Sequence, residues 1–245
     1  MIDQHIVRAY DEELSQLQAI LMEMGGRAEA QLSGAMSALV RHDPETAADI
    51  VAADRRIDDL EGEVDALSLR LLALRQPMAE DLRTIITALK ISADLERMGD
   101  HAKNIAKRTV TLAGQPILQG TCESLARMGA LVRDMIHDVL DSFTARDVEK
   151  ALDVITRDRD VDRMHTSIFR EILTYMMEDA RMITACTHLL FIAKNVERIG
   201  DHATNIAEEV HFMLTGAWPD EERIKEDRSS SVVVSERAAN DKSER

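Results

Sequence analysis

The chain reads as an all-α protein built of two tandem three-helix bundles. Three observations predict this class. Glycine and proline are scarce, 10 and 4 in 245 residues, aromatic residues are 3%, and the good helix formers Ala, Leu, Met, Glu and Arg abound. Apolar residues recur in steps of three and four over long windows, which is the period of an amphipathic helix. The text also repeats itself. Glu96-Arg97-Met98-Gly99-Asp100-His101-Ala102-Lys103-Asn104-Ile105-Ala106 returns as Glu197-Arg198-Ile199-Gly200-Asp201-His202-Ala203-Thr204-Asn205-Ile206-Ala207, displaced by 101 positions.

Taken in order, the first helix is expected over about Glu12 to Leu39. Leu14, Leu17, Leu21, Met24, Ala28, Leu32, Ala35 and Leu39 form its apolar stripe. The pair Gly25-Gly26 costs roughly 1 kcal/mol per residue inside a helix, so it marks either a close helix approach or a kink. Asp43-Pro44-Glu45 is a helix start: Asp43 caps, Pro44 suits the first helical turn, and Glu45 sits at the positive end of the helix dipole. The second helix buries Ile57, Leu60, Val64, Leu67, Leu71 and Leu74 and is expected to stop at Gln76, before Pro77. The third runs from about Glu80 to Leu112 and closes at Gly114-Gln115-Pro116. The pattern then restarts. Leu125, Met128 and Gly129 match Leu21, Met24 and Gly25 at a displacement of 104, and Asp147-Val148-Glu149 matches Asp43-Pro44-Glu45 likewise. Residues 1–115 are therefore the first repeat and 116–217 the second. Residues 218–245 are charged and serine-rich with no helical period, and read as a tail without structure of its own or one ordered by a partner.

A formal net charge of −15 argues against a general nucleic-acid binder, which needs basic patches to displace counterions, and suits cation binding or a basic partner. The opening Met1-Ile2-Asp3-Gln4-His5 lacks a basic segment leading into an apolar one, and no run of about 18 apolar residues exists. The expectation is a cytoplasmic protein with no membrane insertion. Cys122 and Cys186 align with Gln18 and Ile85, so neither recurs, and both are expected to be buried thiols.

Residues four apart on a helix lie one above the other. Glu96, Asp100 and Asn104 therefore form one polar stripe, and Asp54, Asp58, Glu61 and Asp65 form another on the preceding helix. The second repeat carries Glu197, Asp201 and Asn205, and Asp158, Asp162 and His165. If the two stripe-bearing helices pack antiparallel, Asp54 and Asp58 face Glu96 and Asp100. Carboxylates so gathered repel unless they take up protons or a cation. Oxygen-rich sets suit magnesium, manganese, calcium or iron, and a histidine shifts the choice towards iron, zinc or manganese. Asn104 and Asn205 are candidates for outer groups that orient carboxylates or water. His101 and His202 point about 100° away from the aspartates before them and fall outside the ligand set. Gly99 and Gly200, costly in mid-helix, point to close packing. Arg97, Arg170 and Arg198, with Arg83, are rare basic points on an acidic surface and are candidate partner contacts. Each stripe also has a plainer reading as a solvated helix face, and each arginine one as a surface ion-pair member.

The duplicated Glu-Arg-(Met/Ile)-Gly-Asp-His-Ala-x-Asn-Ile-Ala closely resembles the signature of the PhoU family, regulators of phosphate uptake. Phe169-Arg170-Glu171 and Ile192-Ala193-Lys194-Asn195-Val196-Glu197 resemble that family's second repeat. The likeness spans about residues 10 to 216. It implies two three-helix bundles related by pseudo-symmetry. It also implies multinuclear metal clusters on Asp54-x-x-x-Asp58, Glu96-x-x-x-Asp100, Asp158-x-x-x-Asp162 and Glu197-x-x-x-Asp201. The implied role is a non-enzymatic cytoplasmic negative regulator, often a homodimer. It links a phosphate ABC transporter, through its ATPase, to a phosphate-sensing histidine kinase. The replacement of Glu61 by His165 between repeats implies sites that differ in metal or occupancy. The rival reading is a carboxylate-bridged metal-dependent enzyme, for which Asp162-x-x-His165 is the spacing within the acidic stripes that comes close to a di-iron Glu-x-x-His pair. A scaffold whose stripes bind no metal is the third.

Overall fold

The computed structural model describes the backbone of residues 2–75, 77–116, 118–219 and 226–232 and, except at 2–9, 75 and 231, their side chains. Among these residues there are seven α-helices and no strand. They are α1 (Ile2–Arg41), α2 (Pro44–Ala53), α3 (Arg55–Arg75), α4 (Glu80–Leu112), α5 (Gln119–Ala145), α6 (Val148–Glu178) and α7 (Ile183–Thr215). Gln76, where the second helix was expected to stop, lies outside the described residues. The first helix begins ten residues earlier than its apolar stripe announces. The second expected helix is two segments, α2 and α3, joined at Asp54. There the N–H of Ile57 bonds the carbonyl three residues back (2.9 Å), a local tightening of the turn. Its counterpart α6 is continuous.

Local chemistry sets the helix ends. Asp43 accepts the N–H of Thr46 (3.0 Å) and Asp147 that of Lys150 (3.1 Å), so both second helices begin on the same aspartate cap. The residues before those caps, His42 (φ 54°) and Arg146 (φ 55°), are both left-handed, a strained turn used identically in each repeat. Gly114 (φ 82°) ends α4.

The apolar stripes meet in one continuous core. Leu17, Leu21, Met24, Leu32, Ile91, Leu95, Met98, Val132, Met135, Ile192, Val196 and Ile199 are all buried, each full burial stabilising by about 1.5–3 kcal/mol for the larger side chains. The repeats share this core, because α1 packs on α5 and α4 on α7. A methyl group on Gly25 would fall 2.1 Å from Leu140 Cδ1, and one on Gly129 2.6 Å from Met36 Cγ. Positions 25 and 129 correspond, as do 36 and 140, so one α1–α5 contact is made twice about a pseudo-twofold axis. Gly25 thus marks a close approach, whereas Gly26 faces open space. Leu74, expected in the core, is 69% exposed at the far end of α3 beside the turn to α4.

Candidate metal sites and the seam between the repeats

The first site lies where α4 crosses the α2–α3 junction. Asp54 is buried, Glu61, Glu96 and Asp100 are half-buried, and Asp58 is exposed at the rim. Antiparallel packing of α3 on α4 does bring the two stripes together. It also brings Lys103, one turn beyond Asp100, whose ammonium donates to Asp54 Oδ2 and to Asp100 Oδ1 (2.5 Å). The two carboxylates hold the lysine pKa above its usual value although burial pulls it down. Burial, then Asp100 and Glu61, push the Glu96 carboxyl up against the opposing pull of Arg97. Burial, Asp65 and Asp58 do the same to Glu61, and desolvation, Asp54 and Asp100 to Asp58. Lys103 and the exposed Arg97, 3.6 Å from Glu96, leave the five carboxylates under-compensated. Gly99 supplies the close approach expected of it: a methyl there would sit 3.3 Å from both Asp54 Oδ1 and Gln31 Oε1. Neither buried oxygen has a hydrogen-bond partner.

The second site, between α6 and α7, is closed. Asp158, Asp162, His165 and Glu197 are each 2–3% exposed, and Asp201 is half-buried. Here the lysine comes from the other side. Lys194, at the position of Ala93, donates to Glu197 Oε1 (2.6 Å), while Thr204 replaces Lys103. Burial raises the Glu197 carboxyl, Asp201 and Asp227 raise it further, and the Lys194 hydrogen bond opposes them. Glu197 Oε2 is buried without a donor. Residues 226–232 lie over this site. The tail read as unstructured from 218 therefore has an ordered stretch, because buried acceptors on α6 take its N–H groups; 220–225 and 233–245 lie outside the described residues. Glu226 N–H donates to Asp162 Oδ2 (2.6 Å) and Arg228 N–H to Thr166 Oγ1 (3.1 Å). Asp227 reaches His165 Nδ1 (3.2 Å) and Lys194 Nζ (3.5 Å).

Among the described residues no three His, Cys, Asp or Glu side chains converge as a ready ligand set; lysines and, in the second site, backbone N–H groups hold the carboxylates instead. The donor chemistry nonetheless fits a hard cation. Each site gathers more carboxylates than the basic side chains paired with them and retains a buried carboxylate oxygen with no donor.

The remaining motif residues build a seam where α4 meets α7. The His101 and His202 rings stack at 5.5 Å. His101 Nδ1 pairs with Asn195 Oδ1 (3.0 Å) and His202 Nδ1 with Asp94 Oδ1 (2.7 Å). Asp94 and Asn195 occupy one repeat position, so this too is a contact made twice. Asn205 Nδ2 is 3.5 Å from Asp94 Oδ1, and Asn104 lines the same groove of about 560 Å³ with Arg97, Asp100, Arg198 and Asp201. The asparagines thus line the seam, in the groove that Asp100 and Asp201 also border. Arg97 and Arg198 are exposed at the groove, and Arg170 is exposed on α6. Arg83 is not a free surface cation: its Nε donates to the Met213 carbonyl near the end of α7 (3.3 Å).

Sequence reasoning missed Lys103, Lys194, Gln31 and Asp227. Lys103 stands one turn after Asp100 and was legible as an i+3 neighbour. Lys194 stands one turn before Glu197 and was legible in the same way, whereas Gln31 and Asp227 reach their sites only through packing.

A duplicated all-helical chain, with one carboxylate site per repeat and a pseudo-symmetric seam of motif residues, defines the class of protein. Two stretches of it, residues 21–109 and 125–210, match the PhoU domain. The chain belongs to the PhoU family. It is 51% identical over 224 residues to the Caulobacter vibrioides phosphate-specific transport system accessory protein PhoU homolog, covering 91% of this chain and 97% of that one. It is 47% identical over 228 residues to the Rhizobium meliloti protein of the same name, covering 93% and 96%. The crystal structure of PhoU from Pseudomonas aeruginosa superposes with a TM-score of 0.80 at 37% identity, covering 85% of this chain and 100% of that one. The phosphate transport system regulatory protein PhoU from Streptococcus pneumoniae also gives 0.80, at 32% identity and covering 86% and 100%.

Proposed function

We propose that this chain is a cytoplasmic negative regulator of phosphate uptake and of the phosphate-starvation response, acting as a homodimer that links the ATPase of a phosphate ABC transporter to a phosphate-sensing histidine kinase. Relatives about half identical to it are named as accessory proteins of the phosphate-specific transport system, and it matches them over nearly its whole length. The duplicated carboxylate site is the observation that carries a metal-dependent form of this role. No helix among the described residues is long and apolar enough to cross a membrane, so membrane proximity comes from its partners. Exposed apolar side chains at the two hairpin ends, Leu74, Met78 and Leu82 in one repeat and Met177 and Ile183 in the other, suit protein contacts.

In the first site Asp54, Asp58, Glu96 and Asp100, with Glu61, would hold the metal; in the second, Asp158, Asp162, Glu197 and Asp201, with His165. A bound iron, manganese, zinc or magnesium cluster supplies the positive charge that lets these carboxylates stay ionised while pinning one helix of each bundle to the next. Lys103 and Lys194 provide part of that charge themselves. The arrangement is one of binding and helix clamping, with no nucleophile and base beside an oxyanion site among the described residues.

Deleting the gene and restoring it with wild-type or Glu96→Ala/Glu197→Ala protein tests this reading. Deletion is expected to de-repress a phosphate-starvation reporter in phosphate-replete medium and to raise phosphate uptake, with restoration by wild type and not by the double variant. Repression that persists in the deletion strain, together with no binding of the purified transporter ATPase or kinase, rejects it.

A further inference from the structure

We propose that the C-terminal segment 226–232 completes the second site. Asp227 holds His165 with its proton on Nδ1, leaving Nε2 as a metal ligand beside Asp158, Asp162 and Glu197, and the segment limits exchange of that metal. This rests on the metal-binding reading above and adds a residue outside the matched repeats.

Two independent features carry it. First, the segment is seated by the site's own groups. Glu226 N–H is bound to Asp162 and Arg228 N–H to Thr166. Asp227 is in turn fixed by the N–H of Ser229 (2.9 Å). Asp227 adds a carboxylate to the field of Glu197 and Asp201, and the side chains it is paired with among the described residues are His165 and Lys194. Second, Glu197 Oε2 is a buried carboxylate oxygen with no donor, on a side chain 4% exposed whose other oxygen shares Lys194 with Asp227. A multivalent cation answers both features.

The role of Asp227 follows from imidazole chemistry. A carboxylate oxygen 3.2 Å from Nδ1 accepts a hydrogen bond from the Nδ1–H, so the proton stays there and the lone pair is left on Nε2. A carboxylate behind a histidine fixes the ring's tautomer and orientation and raises its basicity as a ligand. The first site has Glu61 at the corresponding position, no segment lies over it among the described residues, and its Asp58 is exposed. The two sites therefore differ in access as well as in donors: the first is open, the second closed by the chain itself.

The test uses the full chain loaded with manganese(II), transferred into excess chelator, with release followed by electron paramagnetic resonance. Two release phases are expected, the slower assigned to the second site by its loss in Asp162→Asn. Asp227→Asn is expected to speed the slow phase by about tenfold or more, the usual range for losing a carboxylate behind a metal-bound histidine, and to leave the fast phase unchanged; Asp227→Glu restores most of the slow rate. In the metal-free protein the His165 nitrogen resonances are expected to shift from the Nδ1–H towards the Nε2–H pattern in Asp227→Asn, a signature that loss of packing alone does not give. An unchanged slow phase in Asp227→Asn overturns the inference and leaves the metal reading standing. A wild-type chain that retains no manganese(II) overturns both.

Discussion

Replacing Lys103 by methionine asks whether the first carboxylate site is built for a cation. Methionine keeps the length and apolar stem and removes the charge. Its loss is felt unequally, because the Asp54 side chain is 6% exposed and that of Asp100 is 36% exposed. Stranding a buried partner costs about 3–5 kcal/mol, and an exposed one under about 1 kcal/mol. Since Lys103 itself is 22% exposed, the expected loss is about 2–4 kcal/mol, a drop in Tm of roughly 8 °C for a chain of this size. A cation that binds only the folded state at a hundred times its Kd returns about 2.7 kcal/mol. Manganese(II) is therefore expected to restore most of the loss, and to stabilise Lys103→Met more than the parent because no ammonium competes for Asp54 and Asp100. Thermal and urea unfolding of both proteins, with and without manganese(II), measure this. A variant as stable as the parent refutes the account of Asp54. A destabilised variant that manganese(II) does not rescue refutes the claim that these carboxylates hold a cation.

The paired glycines of α1 separate two effects. Gly26→Ala, in open space, is expected to stabilise by about 1 kcal/mol, whereas Gly25→Ala and Gly129→Ala, which push on Leu140 and Met36, are expected to destabilise by about 1–2 kcal/mol in urea unfolding. The pH dependence of the metal-free protein follows from Glu96, Glu61 and Asp58, whose folded pKa values are raised. The stability they allow is present below the ordinary carboxylate pKa and is lost as pH rises through the raised values; the urea midpoint should therefore fall across that window, less steeply in Glu96→Gln and with manganese(II) present. Burial pushes the Cys122 thiol up to about 11, and both cysteines are enclosed, so thiol reagents at about pH 8 should label neither until the chain is unfolded.

How far the sequence carried the structure can be judged from particular residues. The apolar stripes of α1 and α4, the aspartate caps at 43 and 147 and the glycine stop at 114 are local, each fixed by neighbours within a turn or two. Leu74 failed because periodicity records which face a residue occupies and not whether the partner helix extends that far. The division of the second helix at Asp54 was invisible because its text continues a helical pattern; what sets the position apart is tertiary, the close approach of Gly99 on α4 and the Lys103 bond to its carboxylate.

The sequence by itself determined the class of fold, the duplication and which side chains form acidic stripes, because helix period and repetition are written along the chain. Only the tertiary structure decided what each stripe faces. It set Lys103 and Lys194 among the carboxylates from opposite directions, turned Asn205 to the α4–α7 seam, and laid Asp227 beside His165. Apart from the i,i+3 pairs Lys103–Asp100 and Lys194–Glu197, those contacts join residues 33 to 62 positions apart within a repeat and its tail, or 94 to 111 apart across the seam. No local rule reaches that far; they exist because burying the shared core fixes α4 on α7 and α6 on α7, and the charged groups pair with whatever that packing places beside them.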